Sequence, residues 1–264
     1  MRNNTRVQAV DRALAIVRLF ASQRAELDLL EISHRVGLAK STCHRLLATL
    51  EQNGFVSAVE RGRYRLGLTA AQVGDVAISQ LRPGPAVRAQ LNALCETTGE
   101  TVGLTVLHAE SALVVERVES LAPLRVQYGI GTLLPAHASA SGKALLAFSQ
   151  GSADLLARLT LPAYTRSTIT TADRLAAELG EIRRTGYAVD REELYVGLVC
   201  LAVPVLDRFG APVAALGVSG PSARMTPDRF PDRVQALREH ATSIARTLDG
   251  APIPSRVPWQ QKVA

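Results

Sequence analysis

The sequence predicts an α+β chain in two parts, a small helical N-terminal unit and a larger domain of mixed strands and helices. Three observations carry this. In the first third, apolar residues recur at helical spacing and give way to a short alternating stretch. Positive charge gathers in the same third. Beyond Pro83 the pattern becomes short alternating strands flanked by helices at both ends, an arrangement of the α+β kind.

The N-terminal elements follow in order. QAVDRALAIVRLFAS (8–22) carries Val10, Leu14 and Val17, with Ile16 and Phe20, as a helical stripe. LDLLEISHRVG is a short helix closed by Gly37, a residue able to take the left-handed conformation at a helix end. LAKSTCHRLLATLEQNG is a third helix with Cys43, Leu46, Leu47 and Leu50 on one face and Gly54 past its end. Ala39 is a poor cap for it, and Ser41 is the nearest substitute. FVSAVERGRYRLG alternates around Glu60-Arg61-Gly62 and reads as a hairpin. Three helices and a basic hairpin make a winged helix-turn-helix over residues 1–67. LTAAQVGDVAISQLR (68–82) is a linker helix, stopped by Pro83-Gly84-Pro85.

Residues 83–250 form the second domain. VRAQLNALCETTG opens it as a helix, and TVGLTVLHAESALVVERVES reads as two strands about a turn at Ala109–Ser111. LRVQYGIGTLLP is expected to be a further strand, 152–159 and 172–185 helices, and YAVD, LVCLAVPVLD and APVAALGVSG strands. Residues 226–248 form the last helix. The tail 251–264, with three prolines and no periodicity, is expected to be poorly ordered.

Composition narrows the function. At 47% hydrophobic but 4% aromatic, the cores are built from Leu, Val, Ile and Ala. The longest apolar run, VGLVCLAVPVL (196–206), has 11 residues and contains Pro204, where a span needs roughly 20. The start lacks the apolar core and cleavage site of a secretory signal. Three widely spaced cysteines, Cys43, Cys95 and Cys200, fit reduced thiols, so a cytoplasmic protein away from membranes is expected. Residues 1–82 hold 12 Lys and Arg against 7 Asp and Glu, a net of +5, whereas residues 83–264 hold 18 against 17. A polyanion-binding module on a nearly neutral body accounts for that asymmetry, although a solvated surface produces it too.

In a helix-turn-helix the start of the second helix of the motif enters the major groove. Here that stretch holds Lys40, Ser41, Thr42, His44 and Arg45. Arg45 can donate twice to a guanine edge, and Lys40, Ser41 and Thr42 suit phosphates or base edges. His44 fits a DNA contact and a solvated helix face equally. Arg61, Arg63 and Arg65 alternate with Gly62 and Tyr64 and are expected to share one side of a strand, where they would track a phosphate backbone or enter a minor groove.

PAHASASGKALLAF (135–148) raises several chemistries. A phosphate loop needs glycine five residues before Gly-Lys and Ser or Thr after it, but His137 and Ala144 stand there. A Ser-x-x-Lys site needs serine where Ala140 stands. His137, Ser139 and Asp190 make a triad by residue type only, and His108, His137, Asp190 and Cys200 lack metal-ligand spacing. An enzyme with a nucleic-acid tether is the rival reading. What remains is a helix start built of small residues, whose free N–H groups can meet an anion, or a plain capped helix packed on a sheet.

Together LLEISHRVGLAKSTCHRLLATLEQNGFV and GRYRLG resemble the DNA-binding half of the IclR family of bacterial transcriptional regulators. LPAHASASGKALLA, GYAVDREELYVGLVCLAVPV and ALGVSGPSARMT resemble its effector-binding half. The resemblance spans roughly residues 8–248. It implies a winged helix-turn-helix joined by a helix to a GAF-like α/β effector-binding domain. No enzymatic activity, cofactor or metal is expected. It also implies palindromic double-stranded operator DNA and a small-molecule metabolite as partners, and a homodimer or a tetramer made of two dimers. Carried over by position, it places the effector against Leu134, Ala140, Ser141, Gly142, Asp190, Leu198, Cys200, Gly217 and Ser219.

Overall fold

The computed structural model describes residues 7–22, 26–126, 128–149, 156 and 158–248, in two compact units, Met1–Ser79 and Gln80–Ala264. The division falls inside the helix expected to link them, just ahead of Pro83.

The first unit runs α1 (Gln8–Ser22), β1 (Leu27–Asp28), α2 (Leu29–Val36), α3 (Lys40–Gln52), β2 (Val56–Val59), β3 (Arg63–Leu66) and α4 (Leu68–Leu81), the last crossing into the second unit. Asp28 caps α2 by accepting the Glu31 N–H at 2.8 Å, and Gly37 ends it at φ +66°. As its sequence implies, α3 starts at Ala39 with no side-chain cap. Ile16, Phe20, Leu27, Ile32, Cys43, Leu47 and Val56 bury together. Each such side chain contributes roughly 1.5–3 kcal/mol when withdrawn from water, enough to hold α1, α2 and α3 around one centre. The strands pair antiparallel in the order β1–β3–β2.

The second unit comprises α5 (Pro85–Thr98), β4 (Thr101–His108), β5 (Ser111–Val118), β6 (Leu133–Pro135), α6 (Ala140–Phe148), α7 (Ala172–Thr185), β7 (Ala188–Arg191), β8 (Leu198–Leu206), β9 (Pro212–Pro221) and α8 (Phe230–Leu248). Its antiparallel sheet has the order β6–β5–β4–β9–β8–β7. Alternation along each strand sends side chains to two different layers. Val102, Leu104, Leu201, Val203, Leu216 and Val218 face α5 and α8, against Leu91, Leu94, Val234 and Leu237. Ala112, Val114, Ala188, Ala202 and Ala215 face α6 and α7, against Leu145, Leu175, Leu179 and Ile182.

Two expectations change. The strand expected across 124–135 shrinks to Leu133–Pro135. Ahead of it, Gly129 and Gly131 interrupt the alternation, and Gly131 turns back at φ +87° to donate to the Val114 carbonyl. The last helix begins at Phe230, after a 3-10 turn over Pro227–Arg229. The helix expected at 152–159 lies largely outside the described residues, as does the tail.

Candidate functional site

In the first unit, α3 presents Lys40, Ser41, His44 and Arg45 exposed and Thr42 half-buried, while Cys43 and Leu47 turn inward. This split is what helical spacing requires of a helix anchored on one side and open on the other. The Arg45 carbonyl accepts from Thr49 Oγ1 at 3.1 Å, and among the described residues no hydrogen bond engages its guanidinium. Burial pushes the Cys43 thiol pKa up, so that cysteine is core.

The arginine triplet is not one strand face. Arg61 lies in the turn Glu60–Gly62 with a left-handed backbone, φ 62°, because a hairpin this tight needs residues of positive φ at its tip. Only Arg63 and Arg65 share the side of β3. Arg63 is already engaged, donating to the Glu26 carbonyl at 2.7 Å and lying 3.5 Å from its carboxylate. Arg61 and Arg65 remain exposed at the tip and along the strand.

In the second unit, cross-strand register lines up a polar row, Asp190, Cys200, Ser219 and Thr101, across β7, β8, β9 and β4. Beside it on the same face runs a row of small residues, Ala188, Ala202, Gly217 and Gly103. The small row lets α6 sit low. A Cβ on Gly217 would come 3.0 Å from Ser141 Oγ, and one on Gly103 would come 3.3 Å from the Tyr128 hydroxyl. Where the rows meet α6, a tight cleft remains with a cavity volume of about 20 Å³. That is room for a water or two, so a ligand must move side chains to enter.

Seven residues expected at a ligand line this cleft: Leu134, Ala140, Ser141, Asp190, Leu198, Cys200 and Ser219. Gly142 and Gly217 do not. A Cβ on Gly142 would collide with the Ala136 backbone, so this glycine permits the close pass of α6 over residue 136. Gly217 likewise seats Ser141. Sequence reasoning missed Tyr128, Ser139, Leu194 and Tyr195, which complete the lining. Tyr128, one of five tyrosines in the chain and set just before Gly129, was the available signal.

The cleft's electrostatics are asymmetric. Asp190 is 1% exposed. Burial, with the neighbouring Glu193 carboxylate adding to it, pushes its pKa up to about 7, against the lowering effect of the Glu193 N–H that it accepts at 2.7 Å and of the Lys143 ammonium. Lys143 is wholly buried on α6, and its Nζ donates to Glu193 Oε1 (2.6 Å), the Val189 carbonyl (2.7 Å) and Glu178 Oε1 (3.1 Å). Its charge is therefore spent beneath the cleft, and among the described residues no Lys or Arg lines the cleft itself. Cys200 is half-buried, and desolvation, with the Asp190 carboxylate adding to it, raises its thiol pKa far above the usual range.

The nucleophile reading finds no support in the contacts. Ser139 Oγ donates to the Pro135 carbonyl and accepts from the Gly142 N–H, as the N-cap of α6. His137 Nε2 pairs with the Pro162 carbonyl at 3.1 Å. Neither is directed at the other. Among the described residues no three His, Cys, Asp or Glu side chains converge as a metal site. What the cleft offers is hydroxyls, a carboxyl and the first-turn amides of α6, set against Leu134, Leu194 and Leu198.

Comparison with known proteins gives matches over both units. The family model for the IclR helix-turn-helix domain matches residues 9–60, and that for the bacterial transcriptional regulator IclR C-terminal matches 79–246. The transcriptional repressor IclR of Escherichia coli is 37% identical over 84% of this chain and 83% of its own. An IclR transcriptional regulator of Alicyclobacillus acidocaldarius has a similar solved structure, with a TM-score of 0.75, 28% identity and coverage of 92% and 99%. A Microbacterium hydrocarbonoxydans IclR homolog, solved with 4-hydroxybenzoate, shares the fold at a TM-score of 0.72 and 24% identity, with coverage of 92% and 100%.

Proposed function

The chain belongs to the IclR family of bacterial transcriptional regulators, DNA-binding proteins with a C-terminal effector domain, and on that premise we propose that α3 reads its operator and that the cleft under α6 takes its effector. Seven separated sequence positions meeting in one cleft are the observation that carries the effector assignment. For DNA, Arg45 takes a guanine edge and Lys40, Ser41 and Thr42 take phosphates or base edges, with His44 beside them on the exposed face. Arg61 and Arg65 contact the backbone from the wing. Arg63 serves mainly to brace the wing on Glu26.

The exposed apolar residues Val10 and Leu14 on α1, with Val7 just before it, together with Val73 and Val76 on α4, support a homodimer on a palindromic operator, or a pair of such dimers. Among the described residues no helix is long and apolar enough to cross a membrane. A protein working on operator DNA acts in the cytoplasm, and the engagement of His137 and Ser139 in the fold supports a regulator without catalysis. An effector shifts operator affinity only as far as it binds one state of the protein better than the other.

The test is operator binding by fluorescence anisotropy while small organic acids, 4-hydroxybenzoate first, are titrated into wild type and Ser219→Val. The variant is expected to hold the operator within about twofold and to need at least tenfold more acid for the same response. An equal response from Ser219→Val would remove the cleft from the mechanism.

A further inference from the structure

The residues that bring Tyr128 to the cleft are a separate construction. Between β5 and β6 the chain forms a strap, and two buried or half-buried arginines hold it from the sheet side. Arg117 Nη2 donates to the Val126 carbonyl at 2.6 Å, and Arg224 Nη2 donates to the Leu124 carbonyl at 2.9 Å. Arg117 also lies over the Tyr128 ring, its guanidinium carbon 4.9 Å from the centroid, with a side chain only 7% exposed and an Nε that has no hydrogen-bond partner among the described residues. A cation held on a ring face in a dry setting fixes that ring strongly. The hydroxyl then lies over Gly103, in the space its missing side chain leaves, and 3.4 Å from Ser219 Oγ.

Ser219 and Asp190 sit on strands separated by β8, which places them roughly 10 Å apart by the spacing of neighbouring strands. The cleft therefore has two ends. At one, the Tyr128 and Ser219 hydroxyls stand with a buried guanidinium behind the ring. At the other stands a carboxyl next to a second carboxylate, Glu193. The first end favours an oxygen acceptor and the second a hydroxyl donor.

We infer, resting on the effector reading above, that Tyr128 is a specificity-determining residue whose hydroxyl binds a carboxylate or carbonyl oxygen of a small hydroxyl-bearing acid, with Arg117 as its positioning residue. Burial supports the donor role, because the phenol pKa is pushed up to about 12 and the group keeps its proton at any physiological pH. The ligand's hydroxyl end points to Asp190. The hydroxyls there can also accept, but an ammonium in place of the acid would stand its charge against the Arg117 guanidinium and be disfavoured.

The experiment uses the full chain and isothermal titration with matched probes: 4-hydroxybenzoate, 4-hydroxybenzamide and 4-hydroxybenzylamine, then 3-hydroxypropionate, 3-hydroxypropanamide and 3-aminopropanol. Wild type is expected to bind an acid or amide at least fivefold more tightly than the matching amine. Tyr128→Phe, which keeps the ring on Arg117, is expected to bring that ratio close to one without loss of fold. If Tyr128→Phe proves unstable, Arg117→Met reads the same ratio from behind the ring, with a two- to threefold reduction expected. An unchanged ratio in the folded variant, or an amine that binds wild type as well as its acid, overturns the selectivity role and leaves the cleft reading standing. Failure of wild type to bind any probe overturns the cleft reading for this ligand class, and the Tyr128 assignment with it.

Discussion

The two faces of the six-stranded sheet are built from the same strands, one residue out of step, and they do different work. Toward α5 and α8 the strands send Val102, Leu104, Leu201, Val203, Leu216 and Val218, all essentially buried. Toward α6 the same strands send Gly103, Gly217, Ala202 and Ala188, beside Asp190, Cys200 and Ser219. A face of large aliphatic groups closes into core. A face cut down to glycine and alanine admits a helix close enough to the sheet that its first turn, and not its flank, borders the space left over. The proposed effector cleft lies where the strands give up side-chain volume.

If that contrast is right, the faces should respond differently to substitution. The largest loss is expected at Lys143→Ala, which strands Glu193 and Glu178 under the cleft face. Removing one partner of a buried ion network costs about 3–5 kcal/mol, read as a lower urea midpoint. Leu216→Ala on the closed face should cost about 2–5 kcal/mol and leave effector affinity unchanged in whatever fraction stays folded. Its neighbour Gly217→Ala pushes a methyl toward Ser141 Oγ. It should cost about 1–3 kcal/mol by overpacking and, unlike Leu216→Ala, weaken the effector response. Equal responses from the two neighbours would erase the distinction between the faces.

Acid–base behaviour gives a smaller effect on the open face alone. The Asp190 pKa rises from 3.8 in an unperturbed chain to about 7 when folded. Between those values the folded protein holds a proton that the unfolded chain has released, so this group's stabilisation is complete below about pH 4 and is lost as pH climbs to 7. The loss is about 1.4 kcal/mol per pH unit within that window. Asp190→Asn should remove this slope from urea melts taken at successive pH values. A slope identical to wild type would mean that Asp190 titrates normally.

The two units also differ in how much of them a reader of the sequence can see. The helix-turn-helix lies within one contiguous stretch, and both ends of α2 have a local cause, Asp28 and Gly37. Its proposed reading face is the exposed side of a single helix, so periodicity is enough to place Lys40, Ser41, His44 and Arg45 outward. The wing shows the limit. Alternation in RGRYR placed Arg61 on a strand, whereas closing the hairpin took it into the turn. The cleft draws on residues from Tyr128 to Ser219, brought together by a sheet order that puts β4 against β9. Family likeness located seven of the eleven lining residues, whereas Gly142 and Gly217 lie off the lining, where an added Cβ would meet the Ala136 backbone or Ser141 Oγ. Tyr128 lay in a stretch that alternation assigned to a strand, and Lys143 looked like half of a Gly-Lys pair. Its glutamate partners lie 35 and 50 residues further along the chain, a pairing that only the folded topology creates.

The assignment of α3 as the reading element is tested most directly by fluorescence anisotropy of wild type and Arg45→Ala. Each is titrated on DNA from upstream of the protein's own gene and on a random duplex of equal length, at low and physiological salt. Wild type should bind one upstream segment tightly at both salts, and Arg45→Ala should lose about 1–3 kcal/mol on that segment while random-duplex binding changes little. An equal loss on both duplexes would make Arg45 a phosphate contact. Wild-type binding that is equal on both and vanishes with salt would contradict sequence-specific reading by α3 altogether.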